Sequence, residues 1–220
     1  MGSWAVLLHH CLFKHQLNTV TTPFLFLIFN HLYTGLFITA HDSIHGVVCS
    51  NKFLNNLLGR LCLLFFAGFD YDFLRDEHWR HHSHAGLQGE DPDFHAGSPQ
   101  FLPWILSFMR NYMKLDQVCR LLVIVGVLWL LGAPLLHLFL FNALGGISSA
   151  LVLFYYGTYL PHRPDEGELN RPEGFRTLES SDTRLTSFLK CYNFGCHSEH
   201  HANPRIPWWA LWDAHIATIT

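Results

Sequence analysis

Hydrophobic and polar positions divide the chain into a few long apolar runs with charged stretches between them. Residues 121–160, forty in a row, contain no Lys, Arg, Asp or Glu. As helix they would extend about 60 Å, twice the roughly 30 Å of a bilayer's hydrocarbon core. Gly132-Ala133-Pro134 interrupts this run near its first third. The pattern predicts a helical hairpin of two crossings, its first helix starting near Asp116. Residues 20–40, 21 in number and uncharged, predict another crossing. The next apolar stretch, 53–69, is 17 residues long and holds Asn55, Asn56 and Arg60. A charge at mid-helix is costly in lipid, so this stretch is expected to be interfacial or re-entrant. Residues 3–13 are apolar but cover only about 16 Å as helix. They read as the second half of a span whose first half is missing, without the charged start or cleavage site of a signal peptide. The expected fold is a single all-α integral membrane domain over residues 1–220. It has about four transmembrane helices, the first apparently truncated.

Composition sharpens this picture. Of 220 residues only 14% are charged, against roughly 25% in soluble domains. The net charge is −3, so a basic nucleic-acid binder is excluded. The hydrophobic half of the chain excludes a disordered chain. No nucleophile motif, P-loop or dinucleotide fingerprint is present. Six cysteines are scattered without a CxxC pair. They read as small buried residues in a reducing or membrane setting. Nearly all Lys and Arg lie in 52–114 or 163–205, and only Lys14 lies between the first two apolar segments. By the positive-inside rule those two regions share the cytoplasmic or stromal face. Trp208, Trp209 and Trp212 suit an interfacial belt.

The 19 Phe suit a lipid-facing or apolar-pocket protein, but neither lipid nor a core requires 17 His. Eight of the histidines fall into three boxes: His41-Asp-Ser-Ile-His45, His78-Trp-Arg-His81-His82 and His197-Ser-Glu-His200-His201. Helix positions i, i+3 and i+4 share one face, so each box can aim two or three imidazoles at one point. If 53–69 does not span, all three boxes emerge on the positive face. One metal takes three or four imidazoles, so eight or nine fit two metals. Imidazole suits iron, zinc, copper and nickel alike. A two-metal site above a lipid-embedded pocket suits O2 chemistry on an apolar substrate, which favours iron. Asp42, Asp91, Asp93 and Glu199 lie beside the boxes and are expected to orient imidazoles. His84 and His95 are further neighbours of the boxes, His95 within the turn-like Asp91-Pro-Asp-Phe-His95. His9, His10, His15, His31, His137 and His215 are isolated, and read as ordinary satisfied polar groups.

At these residues the chain resembles the membrane-bound β-carotene ketolases, within the wider fatty-acid hydroxylase/desaturase-like superfamily. The flanks are more specific than the boxes: Tyr33-Thr-Gly-Leu-Phe-Ile-Thr-Ala-His-Asp-Ser-Ile-His-Gly46, Asp91-Pro-Asp-Phe-His95, Phe154-Tyr-Tyr-Gly-Thr-Tyr-Leu-Pro-His-Arg163 and Pro204-Arg-Ile-Pro-Trp-Trp209. The resemblance covers about residues 4–212. It implies oxidation of C4 of a β-ionone ring to a ketone with O2 and two irons, through two hydroxylations at one carbon and loss of water. C4 is allylic, so its C–H bond is weak, and the polyene can stay in the bilayer. The resemblance implies a ninth ligand, His162, and electrons from a separate ferredoxin-like donor. It implies a multi-pass protein of a plastid membrane, or of a bacterial or cyanobacterial cell or thylakoid membrane. The chain departs from the family at Asn193, where ketolases usually carry a His, at Cys196, where they carry a bulky residue, and in its short N-terminus. A fragment, or a start assigned too late, is the expectation from that last departure. Asn193 can still hold a metal-bound water. Two other readings stand beside this one: a carotenoid 3-hydroxylase or acyl-lipid desaturase, which the boxes alone permit, and an inactive metal-binding membrane protein.

Overall fold

The computed structural model describes residues 1–164 and 182–219, and all its regular elements are helices. Part of the cation-rich stretch 163–205, residues 165–181, lies outside the described residues. In chain order the helices are α1 (Gly2–Phe13), α2 (Thr21–Ile44), α3 (Lys52–Ala67), α4 (Tyr71–His84), α5 (Phe101–Tyr112), α6 (Leu115–Leu130), α7 (Leu135–His162), α8 (Arg184–Cys191), α9 (His197–Ala202) and α10 (Leu211–Ile219). α2, with 24 residues, and α7, with 28, are long and apolar enough to cross a membrane. α6, the first arm of the expected hairpin, has 16, about 24 Å. The hairpin turns where the sequence breaks. Gly132 takes φ +97°, which a residue with a Cβ rarely adopts, and Pro134 precedes α7. Within α7, Leu138–Leu144 and Phe154–Tyr159 are π-helical, with the wider i→i+5 turn. The amphipathic α5 has no counterpart among the sequence expectations.

α2 is the axis on which the other elements pack. Trp4 of α1 sits between Tyr33 of α2 and Phe65 of α3, with ring centroids 5.8 and 5.7 Å away. Asn30 Nδ2 reaches across to α7, donating to Gly145 O at 3.2 Å and to Ser149 Oγ at 3.0 Å. Such polar contacts hold helices together where the medium offers no hydrophobic drive. Small residues let the backbones approach here: a Cβ on Gly145 would lie 3.1 Å from Phe29 Cε1.

α3 runs antiparallel to α2, along the half that carries His41. Ser43 Oγ donates to Asn55 O at one end, and Tyr33 Oη donates to Phe65 O at the other. Gly68, at φ +68°, ends α3, and Asp70 caps α4 by accepting from Phe73 N. Tyr71 Oη then returns to Ser43 O at 3.1 Å. Arg60, the charge that spoils 53–69 as a span, pairs with Asp72 of α4 at 2.7 Å. α3 and α4 therefore go in and come back on one side of α2. α6 joins at the far end of α3, where Gln117 Nε2 and Arg120 Nε donate to the carbonyls of Ala67 and Gly68.

The tightest approach is at Gly59. A Cβ there would meet Ser43 Oγ at 2.2 Å and Tyr71 Cε2 at 2.5 Å. Gly59→Ala is expected to cost about 1–3 kcal/mol by overpacking, read as earlier thermal unfolding of the detergent-solubilised protein. Gly126→Ala, where nothing lies within 4 Å of the added carbon, should unfold no earlier than wild type.

Candidate metal centre

The three boxes arrive from α2, α4 and α9, and His162 arrives from the end of α7. They meet at one end of the bundle and divide into two groups. His41, His45, His78, His82 and His200 form the first, and His81, His162, His197 and His201 the second. Within each group the ligand atoms lie within 4.8 Å of one another. In the first, Nε2 to Nε2 separations are 3.2 Å for His41–His200, 2.8 Å for His45–His78, and 3.1 Å for both His82–His78 and His82–His200. In the second they are 3.1 Å for His81–His201, 3.2 Å for His197–His162 and 3.1 Å for His201–His197. Two imidazole nitrogens bound about 2.1 Å from one ion stand about 3.0–3.4 Å apart, depending on geometry. The donor sets fit two first-row metal ions, iron among them. All donors are neutral nitrogen and no cysteine belongs to either group.

Burial favours the uncharged form, the one that binds metal, in several of these imidazoles. His78, His197 and His200 are pushed well below the ordinary histidine range, first by burial and then by neighbouring imidazoles. His82 is pushed down to about 3 for the same reasons. His81 goes the other way: burial would lower it, but Asp93 and Asp91 outweigh that and raise it.

Carboxylates and carbonyls fix the rings from behind. His81 Nδ1 bonds Asp91 Oδ1 at 2.8 Å, and Asp91 is itself held by the amides of Gly86 and Asp93. His41 Nδ1 lies 3.4 Å from Asp42 Oδ1, and Asp42 accepts from Trp208 N. His162 Nδ1 donates to Thr158 O at 2.8 Å. Asp93 hydrogen-bonds Tyr112 Oη and lies 3.9 Å from His81 Nδ1. Glu199 faces away from the rings and bonds His215 Nδ1 of α10 at 2.7 Å. The structure leaves three expected neighbours outside both groups. His84 faces outward, 3.5 Å from Glu90. His95 is fully buried between Phe94 and Trp104. Asn193 takes φ +61° in the turn after α8 and donates to Trp208 O. Asn adopts that left-handed conformation more readily than most residues. The sequence carried no signal for Tyr112, and the link between His215 and Glu199 joins residues that the pattern treats separately.

Below the histidines lies an apolar cavity of about 730 Å³. His41, His78, His81 and His197, drawn from both groups, line one end of it, with Phe37, Phe66, Phe108, Phe154 and Phe194 along its walls. Leu106, Met113, Leu122, Ile147 and Leu151 line its outer side and are themselves exposed. The cavity therefore meets the apolar surface between α5, α6 and α7.

The fatty acid desaturase family model matches residues 18–123 and 116–218. The chain is 47% identical over 190 residues to beta-carotene 4-ketolase 3 of Haematococcus lacustris, covering 84% of this chain and 59% of that one. It is 44% identical over 213 residues to zeaxanthin 4-ketolase of Chlamydomonas reinhardtii, covering 96% and 48%. It is 36% identical over 217 residues to a beta-carotene ketolase of a Paracoccus species, covering 96% and 87%. The chain thus spans about half to three-fifths of the length of these algal relatives. No solved structure matches it.

Asp91→Ala is expected to weaken metal binding by about 10–100-fold, because it releases the ring of His81. Titration of the metal-stripped protein with Fe(II) measures this, with two ions per chain at saturation. His84→Ala should bind as wild type does.

Proposed function

We infer that this chain, which belongs to the fatty acid desaturase family, introduces a keto group at C4 of the β-ionone ring of β-carotene, giving echinenone or canthaxanthin. One observation carries this reading: two groups of imidazoles close the inner end of an apolar cavity that opens on an exposed apolar surface. The names of its relatives give the substrate class.

His41, His45, His78, His82 and His200 hold one iron, and His81, His162, His197 and His201 hold the other. Bound iron supplies O2 activation and two-electron oxidation, with electrons from a separate ferredoxin-like donor on the same face. The protein does the rest. Asp91, Asp42 and the Thr158 carbonyl hold the rings of His81, His41 and His162 in place. The phenylalanine walls exclude water and accept the ring and polyene. C4 is the allylic position of that ring, so placing the ring end against His41, His78, His81 and His197 selects the weakest C–H bond near the metals.

The membrane arrangement follows. α2, α6 and α7 cross the bilayer, α1 packs against α2, and α3 enters and returns. The histidine end then lies on the cytoplasmic or stromal face, beside the Lys and Arg of 52–114. The setting is a plastid membrane, or a bacterial or cyanobacterial cell or thylakoid membrane.

Expression in a host that accumulates β-carotene, with pigments separated by chromatography, tests the reading. Echinenone or canthaxanthin is expected. Hydroxylated carotenoid alone would identify a 3-hydroxylase, new double bonds in lipid would identify a desaturase, and unchanged pigment with zinc-loaded protein would identify an inactive relative. Replacing any of the nine histidines by Ala should abolish ketone formation at normal protein level, since a ligand is lost outright.

A further inference from the structure

The polar groups around the cavity are nearly all committed to other partners. Tyr33 Oη donates to Phe65 O, Gln117 Nε2 donates to Ala67 O, and Tyr112 bonds Asp93. Asn142 also lines the cavity, but it lies about 24 Å from Thr158 along α7, far from the metal end. Thr158 is different. It is buried, at 7% exposure, and lines the cavity one turn before His162. Its carbonyl holds His162 Nδ1, while its hydroxyl makes no hydrogen bond among the described residues.

Ser187 Oγ of α8 is likewise without a partner, but it lies outside the cavity, and several other helical hydroxyls are satisfied by their own helix. Thr34, Thr39, Ser83 and Ser148 each donate back to the carbonyl four residues earlier. Thr158 lies in the π-helical segment Phe154–Tyr159, where the wider turn changes the carbonyl register. A hydroxyl that lines an apolar cavity without a protein partner gains a hydrogen bond from any acceptor that enters there. At the reacting end of an apolar cavity, the group that would satisfy it is an oxygen on the bound ring.

We propose that the Thr158 hydroxyl hydrogen-bonds the C4 oxygen of the half-oxidised ring and holds the 4-hydroxy carotenoid in place for the second oxidation. This rests on the ketolase reading above. The first oxidation replaces one C4 hydrogen by hydroxyl, consuming O2, two protons and two electrons from the external donor and releasing water. The second repeats this at the same carbon, and the resulting gem-diol loses water to give the ketone. The alcohol is more polar than the hydrocarbon it came from and must not leave between the two turns. β-Carotene itself has no oxygen for Thr158 to meet, so the contact appears only after the first turn. That makes Thr158 a residue that separates a ketolase from an enzyme that stops at the alcohol.

The isosteric Thr158→Val and the conservative Thr158→Ser test this. In a β-carotene host, Thr158→Val should raise the ratio of 4-hydroxy to 4-keto product roughly 3–10-fold, the loss of one hydrogen bond. Thr158→Ser should restore the wild-type ratio. A second measurement needs no turnover. With reductant and O2 withheld, carotenoid quenching of tryptophan fluorescence in the purified, iron-loaded protein gives the affinity for each pigment. Wild type should bind the 4-hydroxy carotenoid more tightly than β-carotene, and Thr158→Val should lose that preference. Unchanged product ratio and unchanged preference in Thr158→Val would overturn the proposal. So would a loss confined to 3-hydroxy carotenoid, which would place the contact on the neighbouring carbon. If wild type itself makes no ketone, the ketolase reading fails first.

Discussion

Nine imidazoles from four helices must reach the same end of one bundle, and most of the architecture follows from that requirement. The second box comes from α4, only one loop and one helix after the first. A full crossing between them would place His78, His81 and His82 at the opposite end. The chain avoids this with α3, which descends along half of α2 and hands over to α4 through Gly68 and Asp70. The closeness of Gly59 to Ser43 and Tyr71 is what lets α3 lie flat against α2 with Tyr71 of α4 folded over it. A glycine remote from any ligand is thereby tied to the position of three of them.

The buried histidines impose a second constraint. An uncharged imidazole has two nitrogens, and one turned toward a metal leaves the other to be satisfied within the protein. Asp91, Asp42 and the Thr158 carbonyl meet that demand for three rings. They differ in kind, two carboxyl groups and one backbone carbonyl, and they fall unequally on the two groups: Asp42 on the first, Asp91 and the carbonyl on the second. Asp91 and Asp93 both act on His81, in the second group. Glu199 lies within the last box yet serves α10 rather than a ring. It ties that helix to the centre through His215, and Arg184 of α8 holds Asp213 of the same helix at 3.2 Å.

Much of this was legible in the sequence, because charge exclusion and box spacing are strong physical signals. Residues 121–160 could only be a long apolar hairpin, and its break fell at Gly132 and Pro134. Arg60 argued against a crossing in 53–69, and the structure pairs it with Asp72 at the surface of the α3–α4 unit. The convergence of the boxes followed from that one inference. What could not be read depends on contacts between distant segments. Nothing in the pattern distinguishes His95, fully buried between two aromatic rings, from a histidine that joins either group. Asn193 looked like a change in the site, but its left-handed backbone and its bond to Trp208 place it in a turn. The cavity belongs to seven helices at once, and no single segment announces it.

On the ketolase reading, the open side of that cavity fixes the units in which a substrate would be met. Leu106, Met113, Leu122, Ile147 and Leu151 place the entrance on an apolar surface, so a pigment taken up as proposed would arrive by lateral diffusion in two dimensions. Its effective concentration is a mole fraction in lipid. Adding inert phospholipid at constant pigment would dilute it and slow the protein, although the concentration in the tube stays the same. Lipid composition and membrane area would then act on this protein as substrate supply does on a soluble one.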